Sequence, residues 1–393
     1  MNSLLYSNMW WFGVDAVELA CKLIEFDTSN PPGDQPECAD YLADYLGGFS
    51  NVRIYEKDGV KNVLAELTFS RGGPTLTFNG HWDTVPWSPE AWVTHPLKPV
   101  AHGGWLYGRG AADMKGGLAA ITLAFEEASR LENLEGKLVL MAVGDEETGG
   151  FRGTRYLLSR TNLRPDYVLI GETTDLLLKV GRRGIIQTRL RVYGDEMHSS
   201  RVYLSYVSSI EICSELTLLV RRLDPGDAGD IMPRTTFAVT IFEAGVKENV
   251  IPRVANLHID IRNTPKVTRA DVESLLKREL ERLKEKYGEF KYELDIREAA
   301  RPYMIRDSHL ARVLEDVYRK LGLTPVHDAG GGASDGRFFV EEGVRNIVEV
   351  GPIGKNIHGI NEKVEIESIF QTQRIYIEAA RTILGREKIA FTE

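Results

Sequence analysis

Cysteine is scarce in this chain: three residues in 393, Cys21, Cys38 and Cys213, with no CxxC spacing. That excludes a disulfide framework and a cysteine-ligated zinc finger, and it fits a reducing cytoplasm. Positive charge is also short, since 48 Lys and Arg against 57 Asp and Glu give a formal net charge of -9. No long basic stripe offsets it, so no nucleic-acid partner is expected, because phosphates need a positive field. Long apolar runs are missing too. No stretch approaches the roughly 20 residues needed to span a bilayer, so no membrane partner is expected. The opening MNSLLYSNMWWFG has no lysine, no arginine and no clear cleavage site. It is a poor secretion signal and is expected to pack on the domain surface. Internal repeats and low-complexity tracts are absent as well.

What is there has an ordinary globular balance, 43% hydrophobic and 27% charged. The length exceeds the size at which one core usually keeps growing, so two domains are expected. VDAVELACKLIEFD, residues 14 to 27, has helical apolar spacing, and TSNPPGD ends it; PECADYLADYLGGF reads as a second helix. The runs NVLAEL, TLTFNGHWD, KLVLMAVGDEE and DYVLIGE read as strands, with the helix MKGGLAAITLAFEEASRL between two of them. This alternation predicts an α/β domain with a sheet buried on both faces. From about 181 the order becomes GIIQTRLRVYG (strand), LSYVSSIEICSELTLLVRRL (helix), TTFAVTIFEAG and ANLHIDIRN (strands), RADVESLLKRELERLKEKYG (helix) and KYELDIREAA (strand). That is the ferredoxin-like β-α-β-β-α-β arrangement, with one sheet face expected to be uncovered. Residues 181–298 are read as an inserted domain, which leaves the first domain discontinuous, 1–180 and 299–393.

Three strand ends carry charge, where ligands bind in open α/β sheets. His81 and Asp83 in GHWD share one face of an extended chain while Trp82 points away. An aspartate there can fix the histidine tautomer and leave the other ring nitrogen for a metal; a locally satisfied histidine is the alternative. Asp113 in GRGAADMKGG stands before a helix, where N-capping alone would account for it. In GDEETGG, residues 144 to 150, adjacent acids raise each other's pKa unless a cation compensates, although a solvated acidic loop reads the same way. Glu172 ends the next strand, and His358 in GKNIHGINE reads equally as a surface histidine. Together these positions offer two histidines and at least three carboxylates to divalent ions, with a carboxylate left over as a base. Two zinc ions about 3.5–4 Å apart, sharing one carboxylate and one water, would use the whole inventory.

The motifs GHWDTVP, GRGAADMKGG, GDEETGG, GETT, EMHSS, NVIP, DIR, GGASDGR and IHGINE, in this order, resemble the dinuclear zinc amidohydrolase and exopeptidase family. That family includes acetylornithine deacetylase, succinyl-diaminopimelate desuccinylase, aminoacylase-1 and the glutamate-releasing carboxypeptidase. The resemblance covers nearly the whole chain beyond the first dozen residues. It implies a zinc-peptidase-like α/β catalytic domain carrying an inserted dimerisation and lid domain. It implies that His81 and Glu172 hold one zinc, that Glu147 and His358 hold the other, and that Asp113 bridges them. Asp83 would orient His81, and Glu146 would be the general base. His198 would reach the substrate oxyanion across a homodimer. Asn249 and Arg262 would hold the substrate, Arg262 through the planar fork that suits a carboxylate. Gly332 and Ser334 would line the pocket. Two departures flank that pocket: GETT lacks the proline usual after its glutamate, and HSSRVYLSY lacks a proline-containing run.

The expected enzyme is a cytoplasmic, homodimeric two-zinc hydrolase, with cobalt or manganese able to share the ligands. It would cleave the amide of an N-acyl amino acid or, alternatively, act as a metallo-carboxypeptidase on short peptides. A rival reading takes GASDG as a serine-hydrolase elbow around Ser334, which requires an apolar strand running into the first glycine, where HDAGGG stands instead. A non-catalytic binding module is the remaining alternative.

Overall fold

A computed structural model describes residues 14–33, 36–227, 229 and 231–386; the opening segment expected to pack on the domain surface lies outside them. The chain forms two compact units, one made of residues up to Lys179, Asp307–Val326 and Phe338 onward, the other of Val180–Arg306 and His327–Arg337. The second unit thus takes in 299–306 and 327–337 besides the inserted segment. Tyr303 pairs with Arg182, and the Gly330 N–H donates to the Gly181 carbonyl over 2.9 Å.

In the first unit the central strands are Thr75–His81 and Lys137–Val143, each buried after its first residue. Apolar side chains on both faces make them interior strands, as a sheet covered on two sides requires. They run parallel in register from Thr75 opposite Lys137 to His81 opposite Val143. Tyr167–Ile170 lies parallel on the other side, with Asn79 opposite Ile170. One consequence places the candidate site: the three charged strand ends leave the sheet on the same side. Outward, the order runs through Val60–Thr68 to Asn51–Lys57 on one side and through Ile347–Glu349 to Leu178–Lys179 on the other. The edge strand Asn51–Lys57 was not expected. Its charged, largely exposed sequence NVRIYEK carries no continuous apolar signal.

The helix Gly116–Ala128 is buried almost throughout, and glycine lets it approach the sheet. A Cβ on Gly117 would stand 1.9 Å from the Gly171 carbonyl oxygen, and one on Gly80 would stand 2.8 Å from Met114 Cε. Because the Gly117 obstacle is backbone, G117A must push the helix off the strand that delivers Glu172. Overpacking of this kind typically costs about 1–3 kcal/mol. We expect G117A to lower the denaturant midpoint accordingly and to weaken metal retention; unchanged values for both would mean that the contact relaxes freely.

The second unit is a four-stranded antiparallel sheet of Ile185–Tyr193, Thr236–Ala244, Val254–Arg262 and Lys291–Ala300, in spatial order second, third, first, fourth. This is the ferredoxin-like order expected from the sequence. Along the first strand Ile186, Thr188, Leu190 and Val192 are buried while Gln187, Arg189 and Arg191 are exposed. Ile186, Leu190 and Val192 pack with residues of the helices Ser209–Val220 and Arg269–Tyr287, such as Ile212, Leu216, Leu276 and Leu280. Each such aliphatic side chain contributes about 1.5–3 kcal/mol by leaving water. The first of these helices is shorter than its apolar run, because Ser208 Oγ accepts the Glu211 N–H over 3.3 Å and caps it there.

Candidate active site

His81 is the last residue of its strand and is buried. Its Nδ1 lies 3.0 Å from the Asp83 carbonyl and 3.4 Å from Asp83 Oδ1. A proton on Nδ1 donated to that carbonyl turns Nε2 toward Asp113 Oδ1 at 3.1 Å and Glu172 Oε1 at 3.6 Å, where it donates a second proton in metal-free protein and would offer its lone pair once an ion takes that proton's place. The Asp83 carboxylate also anchors the neighbouring turn. It accepts the N–H groups of Glu146 and Glu147 at 3.2 and 3.1 Å and the Asn30 amide at 2.9 Å, which fixes the turn bearing both glutamates. Trp82 points away and is buried, its ring so close to Gly144 that a Cβ there would lie 2.1 Å from it.

Asp113 does not cap the helix that follows. Its backbone and that of Met114 are non-helical, and Lys115, which stands at the cap, makes no side-chain capping bond. Its carboxylate turns inward: Oδ1 faces His81, and Oδ2 lies 3.1 Å from His358 Nε2. His358 Nε2 is also 3.1 Å from Glu147 Oε1. Two donor groups result, His81 with Glu146 and Glu172, and Asp113 with Glu147 and His358, each with its ligand atoms within 4.8 Å of one another. The first acid of GDEE, Asp145, is in neither group. Asp145 accepts from Arg152 Nε and the Arg152 N–H at 2.8 and 2.7 Å and from Thr148 Oγ1 at 2.7 Å.

The electrostatics of this cluster call for a cation. Burial opposes a charge on His81, yet its hydrogen bonds to Asp113 and Asp83 and the field of Glu172 hold its pKa well above the usual histidine value. Hydrogen bonds to Asp113 and Glu147 push His358 up to about 10. Burial raises the Glu147 carboxyl, against the pull of His358. In metal-free protein the histidines therefore carry protons that compensate the carboxylates. Divalent ions would do the same with more charge, and imidazole with carboxylate suits hard or borderline metals.

A pH dependence follows. His358 is protonated more strongly folded than unfolded, so without metal its contribution to stability is complete below pH 6.5 and is lost as pH rises through about 10. Its half-exposed position keeps that contribution small. Metal binding must displace the same protons, so affinity rises with pH over this window. Calorimetric titration of zinc in buffers of different ionisation heat should record proton release below pH 8; none would contradict the assignment.

The other expected residues lie in the second unit. His198 pairs with Val250 across a two-residue ladder, which brings Asn249 beside it, with Nδ2 3.2 Å from His198 Nε2. His198 Nδ1 accepts the Ser200 N–H over 3.1 Å, so in the neutral ring the proton sits on Nε2. Turning the Asn249 amide over then lets its Oδ1, a buried atom with no other partner, accept that proton. Arg262 donates from Nε to Asp260 Oδ1 at 2.7 Å, while its Nη1 lies 3.8 Å from the Cβ position of Gly332. Ser334 is buried, and its Oγ accepts the Gly336 N–H over 3.3 Å. Residues 329–334 contain no strand, so the elbow geometry is not formed.

Two residues were missed. Glu362 and Arg109, both buried, form an ion pair of 2.5 Å next to the Asp113 loop. Each lies inside a quoted motif, GRG and INE, but a charge flanked by loop residues reads as solvated until its burial is known.

A model of peptidase family M20/M25/M40 matches residues 77–382. The chain belongs to that family. A succinyl-diaminopimelate desuccinylase of Nautilia profundicola is 30% identical, over 93% of this chain and 98% of the relative. One of Alkalilimnicola ehrlichii is 33% identical, over 94% of this chain and 100% of the relative. The M20 family metallo-carboxypeptidase Sso-CP2 of Sulfolobus solfataricus superposes with a TM-score of 0.75 at 21% identity, covering 93% of this chain and 98% of that one. The resemblance read from the motifs therefore holds, as does the fold. The protein is a metal-dependent hydrolase of the M20 type. Among the described residues no helix is long and apolar enough to cross a membrane.

Proposed function

We propose that this M20 hydrolase is a cytoplasmic deacylase that removes a succinyl or related acyl group from the nitrogen of an amino acid, with two zinc ions as its resident metals. The observation that carries the reading is Asp113 held between His81 and His358, with Glu146 adjoining the ligand Glu147. The names of the relatives favour succinyl as the acyl group. His81 and Glu172 would hold one ion and Glu147 and His358 the other, with Asp113 shared. Ions bound there supply Lewis acidity, which can bring a water to a pKa of about 7.

Glu146 takes the proton of the attacking water and later delivers it to the leaving nitrogen, so that one carboxylate serves as base and then as acid. His198 donates its Nε2 proton to the oxyanion in the partner subunit of a homodimer, exchanging the Asn249 hydrogen bond it makes at rest for that contact, while the Ser200 N–H on Nδ1 keeps the ring oriented. Arg262 pairs with a substrate carboxylate, with Gly332 and Ser334 in the loop lining the pocket beside it. Cobalt or manganese would fit the same ligands.

The test is to purify the protein, count metal per chain, and assay N-succinyl and N-acetyl amino acids and short peptides with and without chelator. We expect two ions per chain and chelator-sensitive release of free amino acid, fastest from an N-succinyl substrate. Faster cleavage of peptides would replace the deacylase with a carboxypeptidase. Turnover indifferent to chelation would refute the metal mechanism.

A further inference from the structure

We infer that the buried Arg109 and Glu362 pair is a positioning device that sets the two ligand loops of the metal centre, bearing Asp113 and His358, relative to each other. The inference rests on the metal site proposed above. Glu362 is wholly buried, and both its oxygens are engaged. Its Oε1 accepts the backbone N–H groups of Ala112 and Asp113, each at 3.0 Å, and its Oε2 accepts the Gly110 N–H at 3.1 Å and Arg109 Nη1 at 2.5 Å. One side chain thus grips three backbone amides of the turn that presents the Asp113 carboxylate.

Arg109 extends the grip to the other loop. Its Nη2 donates to the His358 carbonyl at 3.4 Å, and its guanidinium lies over the Trp92 ring, 5.2 Å from the centroid. His358 has a φ of 60°, left-handed backbone that a side-chain-bearing residue adopts only when its surroundings enforce it. The two chain segments also share a small sheet, in which Lys363–Glu365 pairs with Trp105–Tyr107, and the Gly108 N–H donates to the Glu362 carbonyl at 3.1 Å. Removing two charges from water is costly, and an apolar pair of similar volume would often be as stable. The directional contacts of this pair end on the backbone of metal-binding loops, which is what partners behind the ligands do when they fix ligand geometry.

The glutamine variant isolates the effect at nearly constant volume, because its one oxygen can serve only two of the four donors and its amide nitrogen, itself a donor, faces the other two. We expect holo E362Q, prepared with zinc, to keep the far-UV spectrum and cooperative unfolding of the parent. It should hold at least one ion about 10–100-fold more weakly, as changes behind metal ligands typically do. Cobalt-loaded E362Q should show a shifted visible spectrum, and kcat should fall with little change in KM. R109K, which keeps the charge but lacks a planar fork to reach both Glu362 and the His358 carbonyl, should show the same changes to a smaller extent, and it is decisive if E362Q does not fold. Metal affinity within twofold of the parent and an unshifted cobalt spectrum, even with a lowered melting temperature, would overturn the proposal and leave a purely structural pair. Parent protein that binds no metal would instead refute the proposed function.

Discussion

E146Q should bind two metal ions per chain and lose turnover by about 10²–10⁴, the range associated with a positioned general acid or base. The substitution replaces one carboxylate oxygen with an amide nitrogen at nearly constant volume. Asp83 anchors this turn through the Glu146 and Glu147 backbone N–H groups, which glutamine retains, so the ligand Glu147 stays in place. The loss should appear in kcat at all pH values, because no carboxylate remains to receive the proton. Near-normal turnover with full metal occupancy would remove Glu146 from the mechanism. The same variant tests the dimer. Mixed with H198A and allowed to exchange chains, it should regain part of the activity, since heterodimers would carry one site with an intact Glu146 and an intact partner histidine. No recovery despite demonstrated exchange would place His198 in the site of its own chain.

D113N should be the most damaging single change to the metal centre. The native carboxylate offers one oxygen to the His81 side and the other to the His358 side. The amide keeps one oxygen and sets a nitrogen with two protons, no ligand, against the opposite group. We expect metal content to fall from two ions to one or none per chain and turnover to drop below about 1%, a loss at least as large as the 100-fold that changes behind the ligands can reach. Hydrogen bonds to the two histidines hold the Asp113 carboxyl far below the usual aspartate range despite its burial, so metal-free D113N should also be less stable than metal-free parent near neutral pH. Two retained ions would mean that another group bridges them.

Much of this site is legible in the sequence because strand ends announce themselves. GHWD, GDEE and GETT each follow a short apolar run, and once those runs are parallel neighbours their polar ends meet at one edge of the sheet. The β-α-β-β-α-β order of the second unit is legible for a similar reason: alternating burial writes strand and helix periods directly into the residue pattern. Local pattern served less well at Asp113. In sequence it is a residue before a helix, with the composition of a cap, and only the folded loop shows its carboxylate turned away from the helix and toward two histidines. Asp83 reads as a partner for His81, and the structure puts it beside Nδ1, but its second task, accepting the Glu146 and Glu147 N–H groups, has no signal in the local pattern.

The sequence by itself determined the residue types, the alternation that makes the sheets, and the motif order that identifies the family. The tertiary structure alone decided which charges are buried. Glu362 and Asp145 look in the sequence like any acids of polar loops, yet one holds the backbone of the Asp113 loop and the other is tied to Arg152. The reason is physical: hydrophobic periodicity is local and repeats along the chain, whereas the partner of a buried charge comes from wherever the fold brings a complementary group.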